Sequence, residues 1–403
     1  MIGTPGFCGD RLAQAREARG LTATALSEMI GLRTANISQY EHGKQSPSPD
    51  VMERIAGVLN QPISFFLRPV TPVSEDSIWW RAMSSATKSA RGRAHARFTW
   101  LTEIVSYLDD YVDFPAVNLP AFQVPSDVQA ITSGLIEEIA SECRRYWKLE
   151  DGPIADAVLL LENNGIMVSR GQLLAENLDA FSHWRDDSER PYIFLGADKE
   201  SAVRSRHDAA HELGHLILHR SVDRKVIRNA KLFRLVEDQA HRFASAFNLP
   251  ARGFSDQLWS PTLDAFLALK PHWKVAISAM VMRCEQLGIL SEEQAKRTWI
   301  NLSRRGWRKE EPLDDRLVPE RPRLLRRSVE LLVNEGIKTP EQIVSDLAMN
   351  ASDIESLACL DQGYLTGEAS NVIAMPQLKS ELRQPTSRGN SMLTLFPNRR
   401  QDG

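Results

Sequence analysis

The sequence is poor in cysteine and has no long apolar run. Its four cysteines, at positions 8, 143, 284 and 359, form no C-x-x-C pair in a chain of 403 residues. This spacing argues against a disulfide framework and against a zinc site built from cysteines, and it fits a reducing cytoplasm. No stretch reaches the roughly 18 apolar residues that a membrane-spanning helix needs, and the N-terminus lacks a signal-peptide pattern. We therefore expect a cytoplasmic protein with no membrane partner.

Neither sign of charge is in large excess, since 49 Lys and Arg oppose 52 Asp and Glu for a net charge of −3. The balance is uneven, with a net charge of +4 over residues 1–100 and −7 over residues 101–403. The stretch from Trp79 to Trp100 holds five basic residues and no acidic one, with the basic residues at 81, 88, 91, 93 and 97. Such a run is either a solvated helix face or a phosphate-facing element beside a DNA-binding head.

The chain length indicates two to four domains at the usual 100–200 residues each. Apolar periodicity predicts helices over most of the chain, at 10–67, 87–111, 128–148, 155–163 and from 204 nearly to 365. Three short strands are predicted between them, at 166–170, 180–184 and 191–195. The expected fold class is therefore mainly α with a small α+β core.

The nine histidines are ordinary in number but not in placement, because four of them lie in the segment RSRHDAAHELGHLILH at 204–219. His211, Glu212 and His215 form an H-E-x-x-H motif within it. On a helix, side chains four residues apart share one face, about 5–6 Å apart at Cβ, so two imidazoles can bind one Zn²⁺. The carboxylate of Glu212 is then within reach of a water on that metal.

A catalytic zinc site also needs a third protein ligand and an open fourth position. Glu237 is the best candidate, because it lies 22 positions after His215, which allows a turn and a returning helix. His241, one turn later, and Asp238 are its rivals. If His241 or His207 were a fourth ligand, the site would be closed and structural instead. The other histidines of this region are expected to pack or to support the ligands: His183, His207 and His219.

The segments RHDAAHELGHLILH and EDQAHRFASAFNLP resemble the ImmA/IrrE family of zinc metallopeptidases, over roughly 130–325. The resemblance implies that His211, His215 and Glu237 bind zinc and that Glu212 is the general base of peptide-bond hydrolysis. By the same resemblance, the substrate is a repressor-type protein. His207 stands where a Phe is common in the family, and FNLP at 247–250 replaces Leu-Leu-Met-Pro. These departures bear on substrate fit rather than on metal binding.

Near the N-terminus, TATALSEMIGLRTANISQYEHGKQSPSPDVMERIAGVLN resembles the Cro/cI-type (XRE) helix-turn-helix and implies a lambda-repressor-like domain over about 10–67. In this motif the second helix enters the major groove. The resemblance implies that four residues contact base edges: Thr34, Ala35, Asn36 and Gln39. Asn and Gln side chains can form bidentate hydrogen bonds with adenine. Three further residues are expected to contact phosphates: Arg33, Ser38 and Lys44. Ile37 and Tyr40 are expected to face the core or a dimer partner.

One such head contacts a single half-site of an operator, so a homodimer is the usual arrangement on double-stranded DNA. An apolar stripe on the long helix could supply the dimer contact or, as we favour, pack within the chain: Trp100, Leu101, Ile104, Val105 and Leu108.

These patterns divide the chain into five parts. They are a helix-turn-helix domain at 1–68, a linker and long helix at 69–127, a zincin-like peptidase core at 128–268, a helical region at 269–365 and a disordered tail at 366–403. The helical region is expected to support the peptidase core.

The leading hypothesis is a transcriptional regulator that binds DNA and carries a Zn²⁺-dependent endopeptidase, acting on a repressor-type protein. One alternative is a DNA-binding or antitoxin-like protein whose zinc domain senses a ligand or metal without proteolysis. Another is a protease whose head recruits substrate through protein contacts alone.

Overall fold

The computed structural model describes residues 3–71, 78–79, 87–173, 179–185, 190–198, 201–223, 226 and 229–367. Only the backbone is described at 78–79 and at residue 185. The tail expected to be disordered lies, from residue 368 onward, outside the described residues, as does Arg81.

The N-terminal segment is a bundle of short helices that covers nearly the predicted range of 10–67. They are α1 (Gly9–Ala18), α2 (Ala23–Met29), α3 (Thr34–Glu41), α4 (Pro49–Leu59) and a 3₁₀ helix (Ile63–Leu67). Thr22 begins α2 by accepting a hydrogen bond from the backbone N–H of Ala25. Gly31 follows α2 at a φ of +66°, in the left-handed region that favours glycine, which lets the chain turn into α3.

The long helix α5 (Lys88–Asp109) lies at the centre of a core shared by both ends of the chain. Its apolar stripe is buried within the chain, as favoured above, and Trp100 packs edge-on against Phe65 of the N-terminal bundle. The last three of the described helices pack on α5 as well: α14 (Leu324–Asn334), α15 (Pro340–Leu347) and α16 (Ala351–Leu357). These three helices therefore belong to the N-terminal core, and α14 and α16 also pack against the strand Met167–Gly171.

A mixed sheet separates this core from a second one. Its strands are β1 (Ile78–Trp79), β2 (Met167–Gly171), β3 (Ala180–Arg185) and β4 (Arg190–Gly196), in the order β1-β3-β4-β2. β4 pairs antiparallel with β3 and parallel with β2. The two-residue strand β1 is additional to the three predicted strands, because two residues are too few to show an alternating pattern.

The two faces of the sheet contact different helices because side chains alternate along each strand. Phe181 and Phe194 face α5, whereas Ile193 and Leu195 belong to the second core. That core holds α6 (Ser133–Tyr146), α7 (Ala157–Asn163), α8 (Ala202–Leu218) and α9 (Ala230–Asn248). A third cluster contains α10 (Ala251–Gln257), α11 (Leu263–Trp273), α12 (Ile277–Gln286) and α13 (Glu292–Arg304). Within the described ranges, no helix is both long and apolar enough to cross a bilayer.

The basic run before Trp100 is only partly solvent-facing. Arg93 Nη1 donates to the carbonyl of Leu173 at 3.2 Å, and Arg97 Nη1 donates to that of Gln172 at 2.5 Å. Burial lowers the pKa of Arg97. These two arginines therefore bind the residues that follow β2, Gln172 and Leu173.

Candidate metal centre and helix-turn-helix surface

Helices α8 and α9 carry the predicted metal ligands and approach each other closely at Gly214. A Cβ added to Gly214 would lie 3.1 Å from the ring of Phe243, tighter than an ordinary van der Waals contact. The missing side chain therefore lets α9 lie near the histidine face of α8. Glu237 consequently meets His211 and His215 across this contact.

The three side chains present their ligand atoms to one point. The Nε2 atoms of His211 and His215 are 3.0 Å apart. Glu237 Oε2 lies 3.6 Å from His211 Nε2, and its Oε1 lies 3.4 Å from His215 Nε2. A tetrahedral ion with bonds of about 2.0–2.1 Å separates its ligand atoms by about 3.3 Å. The three distances bracket that value, so this donor set of two nitrogens and one carboxylate fits a single Zn²⁺-sized ion.

Glu212, the second residue of the motif, is fully buried and bonded to the sheet. Its Oε2 accepts a 2.7 Å hydrogen bond from the hydroxyl of Ser182 on β3. Phe181 and His183, the neighbours of Ser182, point to the other face, where both rings contact Phe98. The packing of His183 agrees with the structural role expected for it. Ser182 was not identified in the sequence, because an isolated serine in a strand carries no motif.

Gln239 begins a chain of hydrogen bonds that leads to the metal centre. Its Nε2 donates to the carbonyls of Val128 and Ile131, at 2.7 and 3.0 Å. Its Oε1 is therefore the atom that faces His219 Nε2 at 3.1 Å, and it must act as the acceptor. The proton of the His219 ring consequently lies on Nε2.

The same chain sets the tautomer of His215. Burial, together with the neighbouring His215, lowers the pKa of His219 well below its ordinary value, so the ring is neutral and its Nδ1 is an acceptor. His215 Nδ1 lies 3.0 Å from that acceptor and donates to it. The lone pair of His215 is thus on Nε2, the atom directed at His211 and Glu237. This arrangement matches the support that metal-binding histidines usually receive, and it agrees with the supporting role expected for His219.

Helix α3 separates core positions from exposed ones as its spacing predicts. Ile37 and Tyr40 are buried, with 0% and 7% of their surface exposed. The residues proposed for DNA contact lie on the outer side, where Arg33, Thr34, Ala35, Ser38 and Lys44 are exposed and Asn36 and Gln39 are half-buried. The candidate contacts thus form one solvent-facing surface at α3 and the loop that follows it.

Two family models match the chain. A helix-turn-helix model matches residues 12–66, and a model of the IrrE N-terminal-like domain, in peptidase family M78, matches residues 161–285. The chain joins a helix-turn-helix domain to an IrrE-like domain. A search of curated proteins found no match. The fusion expected from the two motifs is confirmed, and the IrrE-like match, shorter than the 130–325 resemblance, includes α8 and α9 with all the candidate metal ligands.

The rival ligands in the IrrE-like domain lie outside the His211–His215–Glu237 group. His241 Nδ1 is 3.0 Å from His207 Nε2, and these two rings form a second group with His211 whose nitrogens lie within 4.8 Å of one another. Asp238 is exposed and belongs to neither group. Among the described residues no group has four members. The first group therefore offers three candidate ligands, the number found in catalytic rather than structural zinc sites.

A cleft of about 1130 Å³ runs along the IrrE-like domain, between α8 and α9 on one side and α12, α13 and the 307–315 segment on the other. His207 and His241 lie in its wall, and the His241 ring is 4.4 Å from the ring of His211, centroid to centroid. The His241 side chain therefore separates the buried candidate metal centre from the surface of the cleft.

Proposed function

We propose that this protein is a DNA-binding transcriptional regulator whose IrrE-like domain is a zinc-dependent endopeptidase. The proposal depends mainly on one observation. The ligand atoms of His211, His215 and Glu237 surround a position that one ion could occupy, beside the buried carboxylate of Glu212. The match to a peptidase family supports the same chemistry. We further propose that the substrate is a repressor-type protein, on the strength of the family resemblance.

Each residue of the centre has a separate task in this proposal. His211, His215 and Glu237 would hold Zn²⁺, which as a Lewis acid would polarise the carbonyl of the scissile peptide bond. Glu212 accepts the proton of the attacking water and returns it to the leaving amide nitrogen. Ser182 donates to Glu212 Oε2 and so fixes the orientation of the carboxylate. The hydrogen bonds from Gln239 through His219 keep the lone pair of His215 on Nε2.

The size of the cleft favours a polypeptide over a small substrate. Pockets for small molecules usually measure about 300–1,000 Å³, and this cleft exceeds that range at about 1130 Å³. Side chains of both charge signs line it, as do Trp299 and Trp307. An extended protein segment offers the mixture of backbone, apolar and charged groups that such a lining can bind.

The helix-turn-helix domain is proposed to contact operator DNA through α3. Thr34, Ala35, Asn36 and Gln39 would face base edges, and Arg33, Ser38 and Lys44 would contact phosphates. Since the apolar stripe of α5 is buried within the chain, a dimer on two half-sites would use another surface.

The test compares the wild type with Glu212→Gln, which keeps the shape of the side chain and removes the base. Both proteins, loaded with zinc, are incubated with candidate repressors and also alone, and fragments are identified by mass spectrometry. We expect fragments from the wild type only, and their loss when the metal is chelated. The exposed Glu138→Gln serves as the matched control and should cleave as the wild type does. Equal fragment patterns from wild type and Glu212→Gln, or no fragments from either, would contradict the proposal that this protein is a protease.

A second candidate function is metal or ligand sensing without proteolysis. It is favoured by the core that joins the helix-turn-helix domain, α5, the C-terminal helices and one face of the sheet. A change at the metal centre could reach the DNA-binding surface through these packed elements. This alternative predicts operator affinity that changes with zinc, and no cleavage that depends on Glu212.

A further inference from the structure

A second histidine pair lies beside the first metal centre. His207 precedes His211 by one turn of α8, and His241 follows Glu237 by one turn of α9. Their facing nitrogens, Nε2 of His207 and Nδ1 of His241, are 3.0 Å apart, and the two rings lie end to end, with centroids 5.3 Å apart and an interplanar angle of 20°. An ion at ordinary metal–nitrogen distances of about 2.0–2.1 Å from both nitrogens would lie beside the line that joins them, so the two rings would turn towards it on binding.

The surroundings of the pair differ from those of the first centre. His211 and His215 are buried, with 0% and 1% of their surface exposed, whereas His207 and His241 are half-buried and line the cleft. Acidic residues outnumber Lys and Arg along that lining by seven to four. Two of these acids, Glu311 and Asp314, are paired with Lys270. An ion on the histidine pair could complete its coordination with water from the cleft.

We propose that His207 and His241 form a second site for a divalent transition-metal ion, of the Zn²⁺ or Co²⁺ class, in the wall of the cleft. Imidazole is a preferred ligand of these borderline metals, while Ca²⁺ and Mg²⁺ prefer oxygen. His211 belongs to both groups, so the two ions are neighbours. When the first centre is filled, His211 is engaged there, and the second ion keeps only two histidines. The second site therefore binds more weakly than the first.

Occupancy of the second site has a consequence that rests on the proposed function. An ion on His207 and His241 would lie in the wall of the cleft, directly beside the ligand His211. A substrate segment reaching the first centre would meet that ion. We therefore expect excess zinc to slow cleavage by the wild type.

The test uses the full chain loaded with about one equivalent of Zn²⁺ and dialysed. It is then titrated with Zn²⁺ alone by calorimetry and with Co²⁺ by visible absorption. We expect the wild type to take up about one further equivalent, because each four-coordinate site holds one ion. His207→Phe and His241→Asn, on two different helices, should each lose the further equivalent and keep the first. The retained first equivalent reports that the fold is intact. His272→Asn removes an exposed histidine outside the cleft and should still bind both.

Three results would overturn the second site. They are a wild type that binds one equivalent only, a variant that still binds two, and a variant that loses the first equivalent, which would assign its histidine to the first centre. Because these readouts count metal ions, they stand even if no cleavage is found. Cleavage that excess zinc slows in the wild type but not in His241→Asn would support the proposed inhibition.

Discussion

Arg19 and Asp353, which are 334 residues apart in the chain, form a two-pronged ion pair. Arg19 Nη1 donates to Oδ1 at 2.8 Å and Nη2 donates to Oδ2 at 2.6 Å. Gln61 Nε2 adds a 2.6 Å hydrogen bond to Oδ2. Arg19 lies just after α1 and Gln61 just after α4, both in the helix-turn-helix domain, whereas Asp353 lies on α16. These bonds therefore join the helix-turn-helix domain to α16.

Asp353→Asn is expected to destabilise the chain by about 1–3 kcal/mol, because it removes charge-assisted hydrogen bonds from two largely buried side chains. Urea unfolding measures the change. Asp361→Asn, the matched control, breaks an ion pair with Arg326 in which the Asp361 side chain is 64% exposed. Its cost should stay below about 1 kcal/mol. Equal losses of unfolding free energy in the two variants would show that Asp353 does not hold the helix-turn-helix domain in place.

Metal content tests the ligand set directly. After dialysis the wild type should hold about one zinc per chain, as one four-coordinate site requires. His211→Ala and Glu237→Ala should lose it, since each removes one of three ligands. Elemental analysis gives the ratio. Asp238→Asn changes the exposed neighbour of Glu237 and should keep the metal. Zinc that is retained by Glu237→Ala and lost by Asp238→Asn would reverse the assignment of the third ligand.

Gln239→Leu is expected to weaken zinc affinity about 10- to 100-fold, the usual cost of losing a group that orients a ligand. The substitution removes the acceptor of His219 and so frees the tautomer of His215. Competition with a chelator of known affinity measures the effect. Gln129→Leu, at an exposed position near the end of the same network, is the control. An unchanged affinity in Gln239→Leu would contradict the tautomer argument.

DNA binding should separate the two groups of residues on the α3 surface. Gln39→Ala and Asn36→Ala are expected to cost about 1–3 kcal/mol each and to relax sequence preference. Lys44→Ala should weaken binding to all sequences alike and lower the salt dependence by about one phosphate contact. Binding to selected operator sequences at several salt concentrations measures both. If all three variants bind DNA as the wild type does, the helix-turn-helix domain more plausibly contacts a protein than DNA through this surface.

The buried carboxyl of Glu162 predicts a pH dependence of stability. Burial raises its pKa from 4.5 to about 7, even though its oxygens accept backbone hydrogen bonds from Arg323 and Leu324. A raised pKa means that the folded state binds the proton more tightly than the unfolded state. Its contribution is therefore complete below about pH 4.5 and is lost as the pH rises through about 7.

Denaturation at a series of pH values measures this loss, with a slope of at most about 1.4 kcal/mol per pH unit for one group. Glu162→Gln should flatten the curve in that window, because the amide does not titrate there. The exposed Glu138→Gln should leave it unchanged. A slope that survives in Glu162→Gln would assign the dependence to another group.

Local spacing predicted much of the fold and part of the centre. The short N-terminal helices lie within 9–67, close to the predicted range of 10–67, and three of the four strands were found within about a residue of their expected ends. The H-E-x-x-H spacing also predicted that His211 and His215 share one helical face. These features depend only on residues that are close to one another along the chain. The periods of the helix and the strand determine which of those residues share a face, so the sequence shows them.

Contacts between distant segments were decided only by the tertiary structure. The nearness of Glu237, rather than His241, to both histidines follows from how α8 and α9 approach at Gly214. The bond from Ser182 to Glu212 requires β3 to lie under α8. Periodicity indicates which face of an element is apolar, but it does not say which other element covers that face. The sequence alone thus determined which residue types can do the chemistry, and the packing of helices on the sheet decided which of them meet.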